Sequence, residues 1–151
     1  MLWLDESGLY NQETFYHTFI NDINHAKRRV IIESPFITFS RTEQLMPIFQ
    51  KLVRRGVMVV VNTKPFEEHD GLMQDMSRES VEKLQDMGVT VIMTVGHHRK
   101  LAIVDDAILW EGSLNILSQN DSCEFMRRIH SEQATNQMLR FLRLDRFYRV
   151  E

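Results

Sequence analysis

One cysteine, Cys123, stands in 151 residues, so the chain has neither an intramolecular disulfide framework nor a cluster of thiolate metal ligands. That poverty suits a reducing, cytoplasmic setting. Three prolines and six glycines are too few for a collagen-like or linker-rich chain. No run approaches the ~20 consecutive apolar residues of a membrane-spanning helix. The opening MLWLDESGLY has acids early and no basic stretch, which argues against a secretion signal. Neither charge sign dominates: 18 Lys and Arg oppose 21 Asp and Glu, a net charge of −3. This argues against coating nucleic acid by bulk charge. Local basic clusters remain at Lys27-Arg28-Arg29, Lys51/Arg54/Arg55, Arg127-Arg128 and Arg140/Arg143/Arg146/Arg149, and each reads first as a solvated face or helix end and only second as a binding surface.

What is present is an ordinary globular balance, 43% hydrophobic and 26% charged, at a length that suits one domain over residues 1–151. Neither internal repeats nor low-complexity segments interrupt it. Helical and strand patterns alternate. Asn11 is placed to cap a helix carrying Phe15, Phe19, Ile20 and Ile23 at helical spacing. RRVIIES (28–34) reads as a buried strand that Pro35 stops. A second helix opens near Thr42, runs through Leu45, Ile48, Phe49, Leu52 and Val53, and ends at Gly56. VMVVVN (57–62) is a second strand, followed by the polar loop TKPFEEHDG (63–71), a rim or lid. Ser77 caps a third helix that closes at Gly88, and VTVIMT (89–94) is a third strand.

This β-α-β-α-β rhythm predicts parallel strands covered by helices. Then the rhythm changes. LAIVD (101–105) and AILWE (107–111) form a tight hairpin about Asp105-Asp106. CEFMRRI (123–129) is a further strand, and Ser131 caps a last helix. The fold class expected is α/β, a mixed, largely parallel sheet sandwiched by helices.

The chemistry concentrates in HHRKLAIVDDAILWEGSLN (97–115). His98 and Lys100 alternate, so an extended backbone presents them on one face. Ser113 and Asn115 alternate likewise, and Gly112 before them permits a close backbone approach. A cation, a hydroxyl, an amide and an imidazole together suit a tetrahedral anion, most naturally phosphate. Histidine can attack phosphorus or protonate a leaving alkoxide. Lysine is a poor metal ligand, so the set does not read as a metal site. His97 faces away from His98, and Arg99 is expected to point outward toward substrate backbone.

His98-x-Lys100-x4-Asp105-x6-Gly112-Ser113-x-Asn115 resembles, position by position, the signature of the phospholipase D superfamily. VIIESPFIT (30–38), RRGVMVVVNTKP (54–65) and LWEGSLNILSQNDSCEFMRRI (109–129) extend the likeness over nearly the whole chain. They are similar to the single-motif bacterial nuclease branch, including domains fused behind DNA helicases.

The resemblance implies a two-step, metal-free phosphodiester cleavage without a cofactor, through a phosphohistidine. It makes His98 the nucleophile in one subunit and the general acid in the other. Lys100 and Asn115 hold phosphate oxygens, Ser113 supports them, and Asp105 anchors the motif. Glu124 is the candidate carboxylate orienting the histidine. One motif per chain implies a homodimer with the site across its two-fold axis. Phe36 and Arg41, in SPFITFSR (34–41), are candidate contacts for single-stranded nucleic acid. DNA is the expected substrate, with a helicase or defence-system partner and no membrane. The competing readings are a phospholipase or phosphatidyltransferase acting on lipid headgroups, and a non-catalytic nucleic-acid-binding or assembly module.

Overall fold

The strands that read as unbroken apolar runs are those buried on both faces. β2 (Arg29–Glu33) and β3 (Met58–Thr63) bury every residue but their first. They pair in parallel, and β3 pairs in parallel with β4 (Thr90–Met93). Helices α1 (Phe15–Asn24), α2 (Phe39–Arg54) and α3 (Gly71–Asp86) connect or precede them. Glycines at positive φ, Gly56 (88°) and Gly88 (102°), release the chain from α2 and α3 into the strands that follow. The computed structural model describes residues 6–118 and 122–148; Arg149 of the last basic cluster lies outside them.

β5 (Leu101–Val104), β6 (Ile108–Gly112) and β7 (Phe125–His130) complete the other half by antiparallel pairing, and α4 (Glu132–Leu142) follows. An additional strand, β1 (Glu6–Asn11), pairs antiparallel with β7, giving the order β1-β7-β6-β5-β2-β3-β4. The fold is the expected mixed α/β sandwich, with its proportions corrected. Only β2-β3 and β3-β4 are parallel: β5 crosses back from β4 without a helix and pairs antiparallel with β2, and β6 and β7 each pair antiparallel with the strand before them.

Two faces result from the alternation along the strands. Phe15, Phe19, Phe49, Leu52, Leu84, Val59, Val61 and Trp110 fill the core beneath α1, α2 and α3. Ile31, Val60, Ile103, Leu109, Leu142 and Leu144 form a smaller core beneath α4. Three boundaries differ from the sequence reading. Asn11 ends β1, and its Oδ1 accepts the N–H groups of Glu13 (2.9 Å) and Thr14 (3.1 Å), turning the chain into α1. α2 begins at Phe39, one residue after Thr38, and Thr42 lies inside it. α3 begins at Gly71; Ser77 is a buried position within the helix, not its cap.

Candidate active site

The carboxyl ends of β2, β3 and β4 lie at one end of the sheet, and the motif is assembled there. Residues 97–100 lead into β5, which pairs antiparallel with β6 so that Leu101 faces Glu111. The Gly112 N–H donates to the Lys100 carbonyl at 3.3 Å, setting the end of β6 against the start of β5. The Ser113 N–H donates to the Phe125 carbonyl (2.9 Å), and the Phe125 N–H donates to Ser113 Oγ (3.1 Å). The hairpin and β7 thus place His98, Lys100, Ser113 and Glu124, which precedes Phe125, at that same end of the sheet.

Gly112 is required by this closeness. A Cβ there would lie 2.2 Å from the Phe125 carbonyl oxygen, inside any tolerable contact. Beyond it, Leu114, Ile116 and Leu117 are buried in the larger core, leaving Ser113 and Asn115 half-buried between them. Tyr16 Oη donates to the Ile116 carbonyl at 2.7 Å, and burial pushes its phenol up to about 12 against the opposing charge of Arg41. The Thr38 N–H donates to Leu117 O (2.9 Å) and the Leu117 N–H to Ser34 Oγ (3.1 Å), lacing the 34–38 loop to the motif.

Each anticipated residue has a definite place. The His98 side chain is exposed, and Lys100 is half-buried, with Nζ donating to the His98 carbonyl at 2.8 Å. Glu124 is half-buried; its N–H donates to Gln12 Oε1 at 2.8 Å, and its carboxylate does not hydrogen-bond His98 within the single chain. Asp105 is not brought to this site. It occupies the turn at the far end of β5, with φ at +53°, and its carboxylate accepts the N–H groups of Lys27, Arg28 (2.8 Å) and Arg29 (3.1 Å). Phe36 carries the Lys64 ammonium over its face at 4.1 Å and the His69 ring at its edge. Arg41 stacks on Tyr16 at 3.7 Å and donates to Gln44. The 66–68 turn, part of the anticipated rim, is tied to the loop before His98, since Glu68 accepts the Gly96 N–H at 2.9 Å.

Sequence reasoning missed Glu33 and Asn62. Each sits at or next to the carboxyl end of an apolar strand, RVIIE and MVVVNT, and each is fully buried. That position is the signal: a carboxylate ending a run of β-branched residues must find a partner. Asn62 Nδ2 donates to Glu33 Oε2 at 2.6 Å, and Arg99 Nε donates to Glu33 Oε1 at 2.7 Å. Arg99 therefore turns back onto Glu33 rather than outward to substrate. His97 is buried beside the same carboxylate, 4.0 Å away, and burial lowers its pKa although Glu33 opposes that. Among the described residues no group of three or more His, Cys, Asp or Glu is arranged to hold a metal ion. No described helix is long and apolar enough to cross a membrane.

Solved structures share this architecture. The phospholipase D family member Nuc from Salmonella typhimurium superposes with a TM-score of 0.74 at 16% identity, covering 91% of each chain. NucT from Helicobacter pylori superposes at 0.68 with 18% identity, over 91% of this chain and 92% of that one. The phosphatidylserine synthase of Haemophilus influenzae Rd KW20 superposes at 0.64 with 12% identity, over 89% of this chain but 37% of that one. No curated protein sequence matches the chain. The family described as "Cardiolipin synthase, PLD-like domain" matches residues 19–144, so the chain belongs to this phospholipase D-like family.

Proposed function

We propose that the chain is a metal-independent phosphodiesterase, an endonuclease cleaving DNA through a phosphohistidine at a site shared by two copies. The observation that carries this reading is the closure of the sheet end described above, where the Lys100 carbonyl meets the Gly112 N–H and Ser113 is pinned to Phe125. It concentrates an exposed imidazole, an ammonium and a hydroxyl where a phosphate can dock. Family membership supports phosphodiesterase-type activity.

In the first step a ring nitrogen of His98 attacks phosphorus, and the bond to the leaving oxygen breaks. The second subunit's His98 gives that oxygen its proton. In the second step the same histidine accepts a proton from water, whose oxygen attacks phosphorus and breaks the P–N bond, restoring both rings. Lys100 and Asn115 hold the non-bridging oxygens, with Ser113 in support. Glu124 orients the ring through a contact that forms when the second copy and substrate dock. Asp105 holds the motif's scaffold.

The requirement for two histidines and the presence of one motif argue for a homodimer. Exposed apolar side chains on one face, with Arg127 among them, support it. Leu9 (64% exposed), Phe125 (53%) and Phe141 (70%) lie with Ile129 on the α4 side of β1, β7 and α4, and Phe125 is bonded to Ser113. Arg41 and Lys64 around the sheet end favour a polyanion over a single headgroup, with Phe36 and Arg41 as strand contacts. The net charge of −3 fits delivery of nucleic acid by a partner such as a helicase or a defence complex. The lone, exposed Cys123 fits a cytoplasmic setting.

The test is cleavage of labelled single- and double-stranded DNA in excess EDTA beside a His98→Ala control, with phosphatidylglycerol vesicles assayed in parallel. Cleavage of DNA that survives EDTA and vanishes in the control is the expected result. Turnover of the vesicles alone would replace DNA with a lipid headgroup. DNA binding with no phosphohistidine trapped would make the protein a binding module.

A further inference from the structure

Glu33 is the last residue of β2 and has no exposed surface. A carboxylate in that position is costly unless a cation and hydrogen-bond donors meet it. Three donors do. Arg99 reaches it in a fork, Nε to Oε1 at 2.7 Å and Nη2 to Oε2 at 3.2 Å. Asn62 adds Nδ2 to Oε2 at 2.6 Å, and Asn62 Oδ1 in turn accepts Thr94 Oγ1 at 2.8 Å. The chain Thr94–Asn62–Glu33–Arg99 thereby ties the ends of β2, β3 and β4 to one residue of the motif. Burial keeps the neighbouring His97 toward its neutral form, which leaves Arg99 as the cation that balances Glu33.

Arg99 stands between His98 and Lys100. His97 and Arg99, two residues apart, both meet the Glu33 carboxylate, so the segment alternates its side chains as a strand does. A guanidinium fixed on the Glu33 side therefore directs His98 and Lys100 to the other side. Residues 97–100 lie outside the regular ladder of β5, and their visible tie to β6 is the long 3.3 Å bond from Gly112 to Lys100. The fork supplies what that weak pairing lacks, a fixed rotation of the segment.

We propose that Glu33 and Arg99 are a positioning pair that sets the direction in which His98 and Lys100 face phosphate. The proposal rests on the phosphodiesterase reading of His98 but is tested separately from it. Arg99 is the residue to change, because its side chain is 44% exposed and takes no part in the apolar cores. Arg99→Leu removes charge and fork, whereas Arg99→Lys keeps the charge and loses the fork. Glu33→Gln removes the charge from the other side. Circular dichroism and the urea midpoint identify the variants that fold.

Two readouts follow on the folded variants. The first is the His98 ring resonance in ligand-free, histidine-labelled protein, assigned with His98→Ala. The second is kcat and KM on bis(p-nitrophenyl) phosphate. The expected result for Arg99→Leu is a displaced His98 resonance and a roughly hundredfold fall in kcat, far larger than any rise in KM, with Arg99→Lys recovering part of it. A folded Arg99→Leu protein whose His98 resonance is unmoved overturns the proposal. If the wild-type protein hydrolyses no phosphodiester, the functional reading fails. The resonance still decides the positioning role: displacement supports it and coincidence with wild type refutes it.

Discussion

At the scale of single residues, the motif divides into groups at opposite ends of β5. His98 and Lys100 enter it; Asp105 leaves it. Three backbone N–H groups converge on the Asp105 carboxylate, and its backbone sits at a positive φ of 53°. Asp105→Ala should cost about 2 kcal/mol in urea unfolding, because charge-assisted bonds are lost and a left-handed position is given to alanine. Asp105→Asn should cost less, since asparagine tolerates that conformation and keeps an acceptor. If Asp105 took part in chemistry instead, kcat would fall in Asp105→Asn protein of near-normal stability.

His97 and His69 invite a second prediction at this scale. Burial is the leading cause that lowers the pKa of each from 6.5, aided by Lys64 at His69. A histidine depressed in the folded state contributes stability that is complete above its unfolded pKa. As pH falls below about 6.5, the unfolded chain takes up the proton first and that contribution is lost. The urea midpoint should therefore decline between pH 7 and pH 5. His97→Asn should flatten the decline while lowering the midpoint at pH 7. An unchanged slope would mean that neither His97 nor its neighbourhood resists protonation.

At the scale of elements, α4 rests on one identifiable device. Ser131 Oγ accepts the Ala134 N–H at 3.1 Å, and Glu132 in the first turn favours the same end of the helix dipole. Ser131→Ala should cost about 1 kcal/mol in chemical unfolding, with Ser131→Asp retaining most of it. That cap was legible in the sequence, as were the cores of α1, α2, β2 to β7 and the terminating glycines, because caps and apolar spacing are local signals. β1 was not legible. ESGLYN carries a glycine and little β-branching, and it is a strand because β7 offers it an edge. The start of α3 was hidden for a related reason: Leu72 is 74% exposed, so the first turn has no amphipathic pattern. The spacing of the motif pointed to a candidate site, but spacing could not show that Asp105 lies at the other end of β5 from His98 and Lys100. Nor could it show that Arg99 folds back, since its partner Glu33 is 66 residues away.

At the scale of the whole molecule, the two faces of the sheet are unequally covered. α1, α2 and α3 close the larger core over one face, while α4 covers the other in part. Leu9 and Phe125 sit on that second face with Ile129 and Phe141, and Phe125 adjoins the end of the sheet that carries Ser113. Exposed apolar side chains interleaved with Arg127, which pairs opposite both Leu9 and Glu111, and lying next to the candidate site, are what a second copy would bury. Leu9→Glu with Phe141→Glu changes two largely exposed side chains and should leave the circular dichroism spectrum and urea midpoint near those of wild type. Light scattering should show a dimer for wild type and a monomer for the double variant. Cleavage should disappear with the dimer, although both substitutions leave His98 untouched. A dimeric double variant would place the interface elsewhere. A monomer that cleaves at the wild-type rate would mean that one His98 suffices, and the general acid would then have to come from within the same chain.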